Sequence, residues 1–416
     1  MHAFLGRLAA DPGLRADFEA LCDFGGRVQG TPATEAAFAW ALGRMREIGP
    51  AVNEPVPYQG WTARRSAVSL PDGVALPHVP LFGSAPTGPE GVTLDVLDLG
   101  RGAPDDVAAA GEAVRGKAVL LGHEYPFAPW TIHRRFKLAA AAEAGAAACL
   151  MVQPEPGIGP VSGGANGLAV PCFGIGIEVA RRIAGRRVHL ALEAEAGPAT
   201  SPTLVLDLPG GGEGRVVLSS HLDGHPLGES AMDNATGVVA ALALARAVAP
   251  SLAECRRGLT VCIFGAEEWA LSGSKTWLAE MDPARRGRFR FNLNLDSIAG
   301  HPRLTALTSG FPALGPFVRR AAEAIGAEVA IHLPFMRNSD HANFADHGIP
   351  ALRLIAGFDA PEGVLRHLLT GADTRAVVPP GELKAAALTA AAILWASLTA
   401  GDEELSSFGA SRGAGT

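Results

Sequence analysis

The chain has 416 residues, 48% of them hydrophobic, and a formal net charge of −7 at pH 7. Because its basic side chains form no dense cluster, we do not expect a nucleic acid as a partner. No apolar run is both long and uninterrupted enough to span a bilayer, and the first residues turn polar too soon for a secretory signal, so we expect no membrane partner. A chain of this length is expected to form one large domain and a smaller one.

In chain order, residues 1–68 contain a glycine-rich loop at 24–32 (Phe-Gly-Gly-Arg-Val-Gln-Gly-Thr-Pro). The character changes at residues 69–202, which contain an Ala-rich predicted helix at 137–144 and an apolar predicted strand at 147–152. This segment carries none of the metal-binding motifs described below. It is therefore predicted to form a smaller α/β domain inserted into the larger one.

From residue 203 to about residue 400, predicted strands alternate with predicted helices. The strands lie at 215–220, 259–264 and 289–295, and the helices at 236–249 and 313–325. This alternation predicts an α/β fold with a doubly wound, mostly parallel sheet and helices on both faces. The tail at 401–416 is polar and rich in Gly and Ser, and we expect it to be disordered.

The cysteines are odd in number, and their spacing shows no pairs. They are Cys22, Cys149, Cys172, Cys255 and Cys262. Several lie in apolar runs typical of buried thiols, which favours a reducing compartment over a disulfide framework. We therefore expect a cytoplasmic protein.

Metal-binding side chains follow the predicted strands of the larger domain. In parallel sheets, sites form beyond the carboxyl ends of the strands, and these residues lie there. The candidate ligands are three carboxylates and two imidazoles, namely His221, Asp233, Glu268, Asp296 and His367. A set without thiolates suits a pair of zinc ions, and cobalt or manganese would also fit. Glu267, beside a candidate ligand, is free to act as a base.

The order and context of these motifs resemble the co-catalytic di-zinc exopeptidases, the metallopeptidase family that includes leucyl-type aminopeptidases and glutamate carboxypeptidases. The shared motifs are Gly-Arg-x-x-Gly-Thr at 26–31, His-x-Asp at 221–223, Asp-Asn-x-Thr-Gly at 233–237, Glu-Glu at 267–268, Ser-Asp-His at 339–341 and Gly-Ile-Pro-Ala at 348–351. The resemblance implies a phosphorylase/hydrolase-like catalytic domain formed by 1–68 and 203–400. Residues 69–202 resemble the protease-associated domain, a small α/β insert common in these enzymes.

The resemblance also implies a role for each ligand. His221 and Asp296 would bind one zinc ion, and Glu268 and His367 the other. Asp233 would bridge the two ions, so that one hydroxide lies between them.

Two further residues acquire roles from the same resemblance. Glu267 would act as the general base and pass the proton to the leaving amine. Asp223 would orient the imidazole of His221. The resemblance also implies a cis peptide bond between Asp233 and Asn234.

The last histidine departs from the family's pattern. In the family, the last histidine is often preceded by tyrosine and begins the motif His-Ser/Thr-x-x-Asp-Thr. In this chain, two more residues than in that motif separate His367 from Asp373. We align His367 with the ligand and keep His341 as its rival, close to the site and in contact with substrate. Arg366, at the position of the tyrosine, is expected to bind an oxyanion or a substrate carboxylate.

We therefore predict a zinc-dependent exopeptidase, foremost an aminopeptidase that hydrolyses short peptides. The alternatives on the same site are a carboxypeptidase, an N-acyl amino-acid hydrolase and a glutaminyl cyclase. A non-catalytic binding module on a peptidase scaffold is the alternative from another class. Metal stoichiometry would separate the cyclase, which needs one zinc ion.

Overall fold

The computed structural model describes residues 1–165 and 167–409, which form two β-sheets with helices packed around them. The strands are β1 Ala51–Asn53, β2 Val56–Ser69, β3 Val79–Pro80, β4 Val92–Asp98, β5 Ala118–Gly122, β6 Ala148–Gln153, β7 Cys172–Gly176, β8 Arg187–Ser201, β9 Thr203–Leu208, β10 Arg215–His221, β11 Gly258–Phe264, β12 Phe289–Leu295, β13 Leu304–Leu307, β14 Val329–His332 and β15 Ala351–Ala356. The α-helices are α1 His2–Ala9, α2 Gly13–Cys22, α3 Pro32–Arg46, α4 Pro104–Ala110, α5 Arg134–Glu143, α6 Ile177–Ile183, α7 Thr236–Val248, α8 Ser272–Glu280, α9 Pro283–Arg286, α10 Leu314–Glu323, α11 His341–Asp346, α12 Pro380–Thr399 and α13 Asp402–Gly409.

The larger sheet has the strand order β1-β9-β11-β10-β12-β15-β13-β14 within the described residues. Its central strands β11, β10, β12 and β15 pair in parallel, whereas β1, β9 and β13 contribute antiparallel pairs. Every residue of β10 and β11 is buried, as expected for strands covered on both faces. The predicted α/β class with a mostly parallel centre is confirmed.

Two apolar helices lie in the core of this domain. Of the 13 residues of α7, 12 are buried, because the helix is apolar on all sides. The stretches Ala231–Glu254 and Pro380–Thr399 are long and apolar enough to cross a bilayer, but 78% and 61% of their most apolar parts are buried within the fold. Core helices commonly have this composition, so packing against the sheet explains why these two stretches are apolar.

The smaller sheet has the order β2-β8-β4-β5-β6-β7-β3. The predicted strand at 147–152 corresponds to β6, and the predicted helix at 137–144 overlaps α5. Strand β2 begins at Val56 and pairs with β8 along its length, so this sheet starts before residue 69. The division of the chain into domains at 69 and 202 stays a prediction.

Hydrogen bonds join the smaller sheet's loops to loops of the larger domain. The Tyr125 hydroxyl donates to the Gly357 carbonyl at 2.6 Å, and the Ser162 N–H donates to the Leu369 carbonyl at 2.7 Å. The inserted segment therefore lies over the carboxyl ends of the parallel strands.

The C-terminal segment is more ordered than its composition indicates. Residues 402–409 form α13, which buries Leu405 and Phe408, although we expect disorder from residue 401 onwards. Two apolar side chains at helical spacing pack against the fold, although the overall composition of the segment is polar. Residues 410–416 lie outside the described residues.

Candidate metal centre

Three neighbouring strands deliver the polar side chains to one place. Strand β10 ends at His221, β11 is followed by Glu267 and Glu268, and β12 is followed by Asp296. Because β11, β10 and β12 are adjacent and parallel, their carboxyl ends meet at one edge of the sheet. The ligand atoms of His221, Asp233 and Glu268 lie within 4.8 Å of one another, as do those of His221, Glu267 and Asp296.

His221 is the centre of this cluster. Its Nδ1 lies 3.0 Å from the backbone carbonyl of Asp223, which fixes the ring. Its Nε2 lies 3.2 Å from Asp233 Oδ1 and 3.6 Å from Asp296 Oδ1. This nitrogen is buried and makes no hydrogen bond to the described residues. This nitrogen lies between two carboxylates and makes no hydrogen bond within the described part of the chain, which is the arrangement of ligand atoms found at divalent cation sites.

Asp233 is held by a dense hydrogen-bond network around the start of α7. The Asp233–Asn234 peptide is cis, as the resemblance implies. The Asn234 amide donates to Ser220 Oγ at 2.9 Å and to the Leu295 carbonyl at 3.0 Å, so it joins the ends of β10 and β12. Burial raises the pKa of Asp233, and the nearby Glu268 raises it further.

Asp373 anchors the same loop from the other side. Its carboxylate accepts the N–H of Met232 at 2.7 Å and of Asp233 at 3.3 Å. Burial raises the pKa of Asp373 to about 7, although the Met232 hydrogen bond acts to lower it. Asp373 therefore fixes the position of Asp233 through the backbone.

The turn that carries Glu267 and Glu268 is held by Asp223. Its carboxylate accepts the N–H of Glu267 at 3.2 Å and of Glu268 at 3.1 Å. Ala266, immediately before them, has a φ of 54°, which a non-glycine residue adopts only when its surroundings impose it. Burial raises the pKa of Glu267 well above its usual range; His221 opposes this shift and Glu268 adds to it.

Asp296 is paired with a buried arginine. Arg353 Nη2 lies 3.1 Å from Asp296 Oδ1, and both side chains are buried. Burial acts to raise the pKa of Asp296, but Arg353 and His221 together hold it below its usual range. The carboxylate is thus kept ionised and available to a cation.

His367 and Arg366 lie apart from this cluster. His367 Nε2 is 3.7 Å from Glu155 Oε1, and Arg366 Nε donates to Glu155 Oε2 at 2.7 Å. Arg366 also donates to the carbonyls of Glu362 and Gly363. Among the described residues, His367 belongs to neither ligand group, and Arg366 has its guanidinium engaged by the inserted segment. Their roles as ligand and substrate contact remain predictions, which these contacts do not favour.

His341 lies behind the site. It is fully buried, and burial followed by the Arg353 charge lowers its pKa to about 3. Its ring nitrogens make no hydrogen bond to the described side chains, and it is in neither ligand group there. The predicted contact with substrate has no geometric support at a fully buried position.

Sequence reasoning gives two further side chains of the site no role as ligand or substrate contact. His225 was expected near the site, because it stands four residues after His221, but not as one of its ligands, and its Nε2 lies 2.6 Å from Glu268 Oε1. Arg134, at the start of α5 in the inserted segment, lines the same cavity as Asp233 and Glu268. The spacing His-x-x-x-His at 221–225 was the available signal for His225, whereas the position of Arg134 depends on how the two sheets pack.

The cavity measures about 200 Å³ and is lined by side chains of both signs. The carboxylates are Asp233, Glu267, Glu268 and Asp296, and the arginines are Arg134, Arg135, Arg337 and Arg353. This donor set fits zinc, because buried carboxylates and a histidine nitrogen that makes no hydrogen bond converge within ligand distance.

The family model described as peptidase family M28 matches residues 203–394. Among curated proteins, leupeptin-inactivating enzyme 1 of Streptomyces exfoliatus is 30% identical over 39% of this chain and 37% of its own length. Aminopeptidase YwaD of Bacillus subtilis (strain 168) is 26% identical over 69% of this chain and 65% of its own length. The chain thus spans less than two thirds of each of these relatives.

Two solved structures have the same fold. BSAP, a zinc aminopeptidase from Bacillus subtilis, superposes with a TM-score of 0.76 at 22% identity, over 93% of this chain and 95% of its own. A peptidase M28 precursor from Shewanella amazonensis SB2B gives 0.78 at 20% identity, over 95% of both chains. The family match contains His221, Asp233, Glu268 and Asp296, the residues that converge in the structure. Residues 203–394 therefore resemble peptidase family M28, and the similarity includes the clustered side chains.

Proposed function

We propose that this protein is a zinc-dependent aminopeptidase that hydrolyses short peptides. The observation that carries the proposal is the convergence of His221 Nε2 with the carboxylates of Asp233 and Asp296, beside Glu267 in an open cavity. The match to peptidase family M28 supports the reaction class, and relatives named as aminopeptidases support the amino-end specificity.

Two zinc ions per chain are part of the proposal. His221, Asp233 and Asp296 would hold one ion, and Asp233 and Glu268 would contribute to the other. Bound zinc supplies a Lewis acid that polarises the substrate carbonyl and lowers the pKa of water.

Glu267 is the residue placed to move the proton. It is buried beside the proposed ligands, where a carboxylate can take up a proton and release it to the leaving amine. Asp223 holds Glu267 and Glu268 by their backbone N–H groups, so the base keeps its position during the reaction.

The inserted segment would restrict which peptides enter. We propose that it is a protease-associated-like domain, supported by its parallel β4, β5, β6 and β7 with helices between them. Its Arg134 and Gly164 line the cavity, so a long peptide would meet this wall. We also propose a cytoplasmic location, supported by five buried free cysteines, and peptide rather than nucleic acid or membrane as the partner.

The test is the turnover of dipeptides by the zinc-loaded protein and by Glu267→Gln. Removal of general-base catalysis should lower kcat about 10²–10⁴-fold with zinc content unchanged. Glu280→Gln, the same change on the exposed end of α8, should retain wild-type activity. Full activity of Glu267→Gln would contradict the assignment of the base, and hydrolysis of N-acylated but not free dipeptides would contradict the amino-end specificity.

A further inference from the structure

His225 is oriented towards Glu268 by contacts on its other sides. Its Nδ1 lies 3.1 Å from Ser162 Oγ, and its ring stacks on Phe82 with the ring centres 5.6 Å apart and the planes 10° apart. Its Nε2 lies 2.6 Å from Glu268 Oε1, yet neither atom makes a hydrogen bond of acceptable geometry to the described residues, and both are buried. A shared cation would satisfy both atoms at once.

The late histidine position is occupied by an apolar side chain. Leu369 lines the cavity with Asp233 and Glu268, whereas His367 is turned towards Glu155. Counted back from Asp373, which is anchored to the Asp233 loop, Leu369 stands at the first position of the motif His-Ser/Thr-x-x-Asp-Thr. A leucine cannot bind a cation, so the second position needs another ligand.

We propose that His225 supplies that ligand and, with Asp233 and Glu268, forms the second cation position. Both imidazoles of the centre would then come from the end of β10 and the loop that follows it, with His221 serving one position and His225 the other. The inserted segment would take part through Ser162, which holds the opposite nitrogen of the His225 ring. This inference rests on the proposed zinc centre.

The test is the zinc content of the purified protein after loading and dialysis. Wild type should hold about two ions per chain, and His225→Ala about one, because loss of one of few ligands empties a position. His367→Ala and the exposed His2→Ala should both keep the wild-type content. Thermal unfolding of each apo variant shows whether it folds.

Restoring a histidine at the other side of the cavity provides a second variant. Leu369→His in the His225→Ala background should regain the second ion. If His225→Ala does not fold, His225→Phe, which retains a ring to stack on Phe82, should hold about one ion. Two ions in folded His225→Ala, or loss of one ion in His367→Ala, would overturn the inference. A single ion in both wild type and His225→Ala would also overturn it while leaving the first position intact, whereas no ion in wild type would overturn the proposed function itself.

A different observation concerns Arg134. Its guanidinium reaches the cavity from the inserted segment, where its Nε has only a long hydrogen bond of 3.4 Å to the Gly164 carbonyl. A side chain at Gly163 would collide with this guanidinium, and Gly163 has a φ of 136° that favours glycine. Within the described residues, no carboxylate lies within ion-pair distance of Arg134.

We propose that Arg134 binds an anionic group of the peptide. The carboxylates of Glu268, Asp233 and Glu267 line the same cavity as Arg134, and cations bound among them would neutralise their negative charge. Arg337 is paired with Asp346, so the positive charge of this wall comes from Arg134 and Arg135, and it suits a carboxylate. The group is either the C-terminal carboxylate of a di- or tripeptide or an acidic side chain.

Kinetics of Arg134→Gln on matched peptides test this proposal, which rests on the proposed peptidase. If the group is the C-terminal carboxylate, KM for Leu-Gly should be about 10-fold or more higher in Arg134→Gln than in wild type, while KM for the C-amidated Leu-Gly should be equal in the two proteins. Leu-Glu amide distinguishes the acidic side chain from the terminal carboxylate. Arg182→Gln, exposed on α6, is the control. Equal KM values of wild type and Arg134→Gln for every carboxylate-bearing peptide would overturn the proposal, and an inactive wild type would instead contradict the proposed function.

Discussion

The carboxylate of Asp223 accepts the backbone N–H of Glu267 at 3.2 Å, and its other oxygen accepts the next N–H in the chain. Sequence reasoning assigns Asp223 to the orientation of His221, but its carboxylate lies 3.7 Å from His221 Nδ1, and the nearer contact is made by its carbonyl. The side chain therefore holds the turn of the base more directly than it holds the imidazole.

We predict that Asp223→Asn impairs catalysis. An asparagine can accept one of the two N–H groups, but its amide N–H₂ would face the other donor. Supporting residues of this kind typically contribute 10–100-fold, so kcat should fall by about that factor. The zinc content should stay near that of wild type, and Asp105→Asn, exposed at the start of α4, is the matched control. Unchanged kcat in Asp223→Asn would contradict this account of the turn.

Arg27 is expected to stabilise the loop that leads to Asp233. Its buried guanidinium donates to the carbonyls of Leu222 at 2.9 Å, Glu229 at 2.8 Å and Ser230 at 2.9 Å. A lysine cannot reproduce this fork of donors, so Arg27→Lys should lower the free energy of unfolding by about 2–4 kcal/mol. Urea unfolding measures the change, and Arg319→Lys on the exposed face of α10 should be neutral. Equal midpoints for Arg27→Lys and wild type would refute the prediction.

The inserted segment contains a buried ion pair that should make its stability depend on pH. Lys137 is 1% exposed and pairs with Glu124, which is 15% exposed. Burial acts to raise the pKa of Glu124, but hydrogen bonds from Arg101 and Lys137 lower it to about 2. Because this lies below the unfolded value of about 4.3, the stabilisation is complete above about pH 4.3 and is lost as the pH falls towards 2.

Glu124→Gln leaves the Lys137 ammonium without its charge partner. We expect a loss of about 2–4 kcal/mol at pH 7 and a smaller difference from wild type near pH 3. Glu143→Gln, exposed at the end of α5, should show no such difference. A destabilisation of equal size at both pH values would show that the charge of Glu124 is not its cause.

The sequence predicted the parts of the site that follow strands of the central sheet. His221, Glu267, Glu268 and Asp296 were predictable because a strand pattern and a polar residue directly after it are local features. Asp233 was predictable from a different local feature, since it stands just before a long apolar helix.

Residues that depend on packing between distant segments were not predictable. The contact of His367 with Glu155 joins a C-terminal loop to the inserted segment, 212 positions earlier in the chain. Arg134 lies in the cavity only because the two sheets pack together, and no local pattern encodes that contact. The early start of the smaller sheet at Val56 likewise follows from its long-range pairing with β8.

The central claim is that His221, Asp233 and Asp296 hold a cation beside Glu267. The most direct measurement is a crystal structure of the zinc-loaded protein with anomalous diffraction recorded at the zinc edge. The account predicts a peak about 2.0–2.2 Å from His221 Nε2 and from an oxygen of each aspartate. Zinc peaks elsewhere, with none between these three side chains, would contradict it.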